Sequence, residues 1–283
     1  MSAPGSERGD RDGLDQAGRR GRHERRGRWV GYGQTAVAFA LILLVWQLVG
    51  LRLPRYILPT PYATLAELYV RAPLLAQHAL TTLGEIALGF LLAVLVSVPC
   101  GMAVAFSRAV ERVVMPVLVF TQLVPKIALA PLFIIWFGFG LFPKVFMTFL
   151  LSFFPIVINA VTGFRSLDRE IEYLTRSMGL GAWAAFVKVR LPHALPQIFA
   201  GLKVAITLAT VGAIIGEFVG SDRGLGYLLL VAGGDLRTEL LFATLVVLTA
   251  IGLVLYYLMA LLERLAIPWH VSRRGPLGAE GGL

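Results

Sequence analysis

Lys126 and Glu217 are the residues of this chain best placed to do chemistry, because each is an ionisable group inside an apolar stretch. A charge at the centre of a bilayer costs about 2.5–3.5 kcal/mol on insertion scales, so such a group faces protein or a water-filled path rather than lipid. Lys126 lies between Pro125 and Pro131. Two prolines break the local helix and free backbone carbonyls, which is tolerated where a cavity is lined. Two readings of Lys126 follow: it lines a path or helps receive an anionic solute, or it pairs with a carboxylate or carbonyls and holds a kink. Glu217 is flanked by Gly212, Gly216 and Gly220 at spacing four. Such a row lets helices approach closely. It reads as helix packing, or as a subunit-interface face with Glu217 in an outer gate. Glu85, early in its apolar stretch, reads as interfacial, and Lys203 as a cation that reaches the headgroups with its stem in the apolar layer.

Other chemistry is missing from the sequence. None of the four lysines follows a glycine, so there is no G-x4-G-K-[ST] phosphate loop. His23, His78, His193 and His270 are scattered without metal spacing, and His193 reads as surface or interface polar filling. There is no G-x-S-x-G elbow. The one cysteine, Cys100, permits neither a disulfide framework nor a C-x-x-C site. The expected catalytic set and the expected metal set are both empty.

The elements that must position Lys126 and Glu217 are membrane spans. The 283 residues are 57% hydrophobic and 15% charged, with mean hydropathy +0.75, where a soluble domain carries roughly a quarter charged residues. The net charge of +9 does not point to nucleic acid, because it sits in the N-terminal tail and in short loops. Six stretches reach the roughly 20 apolar residues that a crossing needs: Gly33–Leu51, Leu80–Phe106, Val114–Phe137, Val145–Gly163, Ile198–Val219 and Leu240–Leu262. Six spans put both termini on one side. That side, with the tail, Ser107–Val113, the long loop and the C-terminus, carries eighteen Lys and Arg against six on the other. The positive-inside rule makes it cytoplasmic. Arg19-Arg20 and Arg25-Arg26 raise a twin-arginine signal, but the long apolar run and further spans favour an uncleaved first span. On the far side, Thr60 is placed to cap a helix over Pro61–Val70, and Tyr227–Ala232 is an apolar run too short to cross.

The loop from Leu167 to Pro196 is different in kind. Leu167, Ile171, Leu174 and Met178 fall on one helical face. Gly179 ends that helix as a left-handed closing residue does. Ala182–Arg190 predicts a second helix with Trp183, Phe186 and Val187, stopped by Leu191-Pro192. Such an elbow with an apolar ridge is shaped to enter a groove on another protein. The alternative is an amphipathic loop lying on the lipid surface.

With these residues in view, the loop resembles the signature of importer permeases of the ATP-binding-cassette (ABC) superfamily, E-A-A-x3-G-x9-I-x-L-P. The matching residues are Tyr173-Leu174-Thr175, Gly179, Val189, Leu191 and Pro192. Tyr173 stands where glutamate is usual, and Glu172 is one place early. Pro125–Leu132 with Trp136-Phe137-Gly138, and Glu217 with Gly224-Leu225-Gly226-Tyr227, are similar to motifs of the nitrate/sulfonate/taurine-type branch.

The resemblance implies an all-α polytopic membrane protein of about six helices with the type I ABC importer permease fold and a cytoplasmic coupling loop. It implies a solute that is an organic or inorganic anion such as a sulfonate, taurine or nitrate, with pyrimidine-type vitamin precursors also in the branch. The implied partners are a cytoplasmic ATPase dimer, an extracytoplasmic solute-binding protein, a second permease subunit and membrane lipid. No cofactor is expected on this chain, ATP and Mg being used by the partner. The expected organisation is a basic tail (1–32), a first span and outer connector (33–79), the permease domain (80–265) and a C-terminal tail (266–283), in a bacterial inner membrane with both termini cytoplasmic. A gradient-driven transporter or channel, with Lys126 and Glu217 serving ions, is the competing reading. A membrane-embedded enzyme would need more converging polar groups than the spans offer.

Overall fold

The computed structural model describes Gln34 and residues 37–268. The expected basic tail, the start of the first span and the end of the C-terminal tail lie outside the described residues. The regular structure described is helical.

Residues up to Ala66 and residues from Glu67 form two units. In the first, α1 (Val37–Arg52) is an apolar helix, and its Trp46 indole donates to the Pro59 carbonyl at 3.0 Å. Thr60 accepts from the Ala63 amide at 3.2 Å. It thereby caps α2 (Pro61–Val70), with proline at the first helical position as the sequence suggests.

The second unit begins within α2, at Glu67, and continues with α3 (Ala72–Phe106), α4 (Arg108–Leu123), α5 (Lys126–Phe137) and α6 (Leu141–Arg165). The short α7 (Arg169–Ser177) and α8 (Ala182–Ala185) follow. A π-helical turn over Phe186–Arg190 then leads into α9 (Leu191–Gly220). α10 (Leu225–Gly234) and α11 (Thr238–Ala266) complete it. Among the described residues, four helical runs are long and apolar enough to cross a membrane, and five if α4 and α5 together make one broken span. α1 is a shorter apolar helix.

Proline behaves differently at three places. The stretch Val114–Phe137 breaks at Pro125, as expected of its prolines, with α4 and α5 meeting at 98°, but does not break at Pro131. Val124 is extended, with ψ 126°, ahead of Pro125, because the proline ring excludes its predecessor from helical geometry. Conversely, Leu191-Pro192 does not stop its helix. Ala182–Gly220 is one continuous helical run. The Leu191 amide reaches back five residues to the Phe186 carbonyl, and this wider turn makes room for the Pro192 ring against the carbonyls of the preceding turn.

α9 packs most extensively on α6, and α6 on α3. Small residues set the distance between them. A Cβ on Gly212 would stand 2.7 Å from Thr148 Cα, and one on Gly216 2.8 Å from Lys144 Cα. The glycine row before Glu217 therefore packs inside one subunit, which is the packing reading and not the subunit-interface one. Polar bridges cross the same seam. Ser152 Oγ donates to the Ala205 carbonyl at 3.2 Å, and Gln197 donates to Asn159 Oδ1 at 3.0 Å. The core between these helices is aliphatic, with Ala93, Ile156, Ala160 and Ala205 fully buried.

Candidate functional site

The elbow joins two limbs. On the first, α7 ends at Gly179, which has φ +74° and open space where a Cβ would stand. Conformation, not packing, therefore demands glycine there. The Leu180 amide closes the turn on the Thr175 carbonyl at 3.4 Å, the long bond of a left-handed helix end. The second limb carries Val189 on the π-helical turn and Leu191 and Pro192 at the start of α9. Of the expected apolar face, Leu174 is 61% exposed and Met178 70%, beside Tyr173 at 67% and Trp183 at 76%, while Leu167 turns to the wall of a cavity. That cavity, of about 450 Å³, is walled also by Glu172, Phe186, Val189 and Arg190, among others. His193 faces the Ser166 carbonyl at 3.2 Å and so joins the start of α9 to the end of α6.

Lys126 opens α5 at the bend. Its ammonium donates to the Gln122 amide oxygen, one turn back on α4. Lys126, Gln122, Pro125, Leu151, Pro155 and Leu208 are among the residues around a cavity of about 330 Å³. The partner is thus a neutral amide, not a carboxylate. Pro131 sits inside α5 without ending it.

Glu217 belongs to neither cavity. It is 1% exposed and takes the Thr82 hydroxyl at 2.6 Å and the Gly226 amide. Thr82 in turn accepts from the Leu225 amide at 2.8 Å, and His78 Nδ1 accepts from the Gly224 amide at 3.0 Å. Three backbone donors at the start of α10 are therefore held by side chains of α3 and α9. Gly224 has φ +108°, and a Cβ there would overlap the Glu217 carboxyl group. Beside this cluster the Lys144 ammonium lies 2.5 Å from Glu85 Oε1 and donates to Ser221 Oγ at 3.0 Å.

Glu85 is 1% exposed and Lys144 7%, so Glu85 is no interfacial residue. Lys203 likewise pairs with Glu263 on α11 at 2.8 Å instead of reaching out alone. Sequence reasoning missed Thr82, His78 and Lys144. The available signal was an acid and a base, Glu85 and Lys144, near the same end of two apolar stretches. Glu217 and Lys126 are not brought together.

Comparison with known proteins assigns this arrangement. Residues 89–267 match the family described as binding-protein-dependent transport system inner membrane component. The chain belongs to that family. Among its relatives, the riboflavin transport system permease protein RibX of Chloroflexus aurantiacus is 39% identical, over 83% of this chain and 90% of that protein. The formylaminopyrimidine transport permease protein ThiX of Halalkalibacterium halodurans is 32% identical, over 82% of this chain and 94% of that protein. The taurine transport system permease protein TauC of Escherichia coli is 31% identical, over 82% and 87%. A chain of the inward-facing MetNI methionine ABC transporter superposes with TM-score 0.62 at 18% identity, covering 69% of this chain and 97% of that one. That likeness is one of fold, the type I ABC importer permease. This permease is accordingly a multi-pass membrane subunit of a binding-protein-dependent ABC importer. It is not itself an enzyme: the ATPase is a separate subunit, and the family works with a binding protein and a second permease.

Proposed function

We propose that the elbow is the docking surface for the ABC ATPase. Tyr173, Leu174, Gly179, Val189, Leu191 and Pro192 would form the coupling loop on the cytoplasmic side, where both termini also lie. The second permease subunit is another copy of this chain, and Mg and ATP are bound by the partner and not by the permease. The observation that carries the reading is the exposed ridge of Tyr173, Leu174, Met178 and Trp183 on a turn that requires glycine. Large apolar side chains held outward on a rigid elbow fit a groove on a soluble partner. Gly179→Leu forces a branched side chain into left-handed geometry, a cost of roughly 1–2 kcal/mol that misdirects the second limb. The expected result is a permease of normal abundance in which ATP hydrolysis no longer drives uptake. Normal ATP-driven uptake by this variant would sink the docking reading.

For the solute, we propose a small anion of the sulfonate, taurine or nitrate kind, delivered by an extracytoplasmic binding protein. Lys126 and the broken helix at Pro125 border its path, with Pro131 behind them, and Glu217 shapes the far end as a fixed structural group. The cationic head beside a cavity of about 330 Å³ supports this. A second reading, a heteroaromatic vitamin or its precursor, is favoured by the names of RibX and ThiX. Thermal shifts of the co-purified binding protein with taurine, nitrate, riboflavin and formylaminopyrimidine separate the two.

A further inference from the structure

Arg190, the last residue of the π-helical turn that leads into α9, makes two kinds of contact at once. Its guanidinium pairs with Glu172 of α7 at 2.7 Å. It lies over the ring of Phe106, the last residue of α3, at 5.0 Å from the centroid. Phe106 then touches Phe164 at the end of α6, with ring centroids 5.8 Å apart, and Phe186 in the π-helical turn at 6.2 Å. The end of α3 is fixed a second time by Arg165 of α6, which donates to the Val104 carbonyl at 3.0 Å and pairs with Glu111 of α4 at 2.7 Å.

Along the chain the two limbs meet at Gly179, where a Cβ would find open space. A push on α7 would be absorbed by that turn unless something stiff bridged the limbs. Arg190 is such a bridge. A guanidinium is planar and always charged, and it can pair with a carboxylate at its edge while stacking an aromatic ring on its face. Lys188, two residues earlier, is exposed. π-Helical turns often mark functional positions, because the extra residue redirects the side chains that follow.

We propose that Arg190 is the positioning residue that fixes α7 to the transmembrane bundle, and that elbow movement reaches the ends of α3 and α6 through Arg190, Phe106 and Phe164. Glu172, which stands one place before Tyr173, faces inward to Arg190 and serves this brace. The proposal rests on the docking reading above and adds the route by which docking is felt.

The test uses the whole importer in proteoliposomes, permease with its ATPase and binding protein, and reads solute carried per ATP hydrolysed. Arg190→Ala and Glu172→Gln are expected to assemble with the ATPase at wild-type stoichiometry while solute per ATP falls about fivefold, the scale on which one interaction shifts a two-state balance. Arg190→Lys keeps the charge without the planar stack and falls in between. The double variant is no worse than Arg190→Ala, because the two residues act as one unit. If Arg190→Ala does not accumulate, Glu172→Gln carries the test by itself, since it changes one partly exposed side chain isosterically. Wild-type coupling in Arg190→Ala or Glu172→Gln, with Gly179→Leu uncoupled, overturns the brace and leaves the docking reading standing. Wild-type coupling in Gly179→Leu as well removes the docking reading itself.

Discussion

Lys144 and Glu85 are an ion pair in which both partners are almost wholly buried, and their value is best seen by removing one of them. Lys144→Met leaves the Glu85 carboxylate without its cation in the core. The expected loss is about 3–5 kcal/mol, read as a large fall in melting temperature and in detergent-solubilised yield. Lys144→Met with Glu85→Gln is expected to recover most of it, because neither uncompensated charge remains. Glu217 acts differently. Glu217→Ala strands the Gly226 amide, at about 1–3 kcal/mol for a buried group left unpaired, while the Thr82 hydroxyl keeps the His78 carbonyl as an acceptor at 3.2 Å. Loosening of α10, measured by faster amide exchange over 224–228, is the result to look for. Unchanged protection there would contradict the clamp.

At the scale of elements, the α6–α9 seam is where small residues govern function indirectly. Gly212→Leu puts a branched side chain where a Cβ already meets Thr148 Cα at 2.7 Å. Backbone cannot give way as a flexible side chain can, so this overpacking costs about 1–3 kcal/mol or more. A melting temperature equal to wild type would show that α6 and α9 do not pack as described.

The same scale shows what the sequence could and could not reveal. Spacing made the glycine row, the Thr60 cap and the Gly179 turn legible, since each is a local matter of side-chain size or backbone sign. A break at Pro125 was legible too, but the continuity through Pro131 and through Leu191-Pro192 was not. A proline breaks or spares a helix according to whether the preceding turn can widen to meet it, and that depends on neighbours distant in sequence. The buried cluster was invisible for a related reason. His78, Thr82 and Lys144 meet Glu217, Gly224 and Ser221 only after three helices have packed, and no period along the chain records it.

For the whole molecule, family membership makes the chain a permease subunit of a binding-protein-dependent importer, and the proposed role of the elbow is to convert a partner's ATP cycle into movement of the path. Lys126, Arg190 and the buried cluster around Glu217 lie in one unit, Glu67–Leu283. The measurement that tests this account most directly is uptake in proteoliposomes containing the permease, the ATPase that co-purifies with it and the binding protein. The account predicts uptake that requires ATP, the binding protein and an intact Gly179 elbow together. Uptake by the permease alone, driven by an ion gradient and indifferent to ATP, would contradict it.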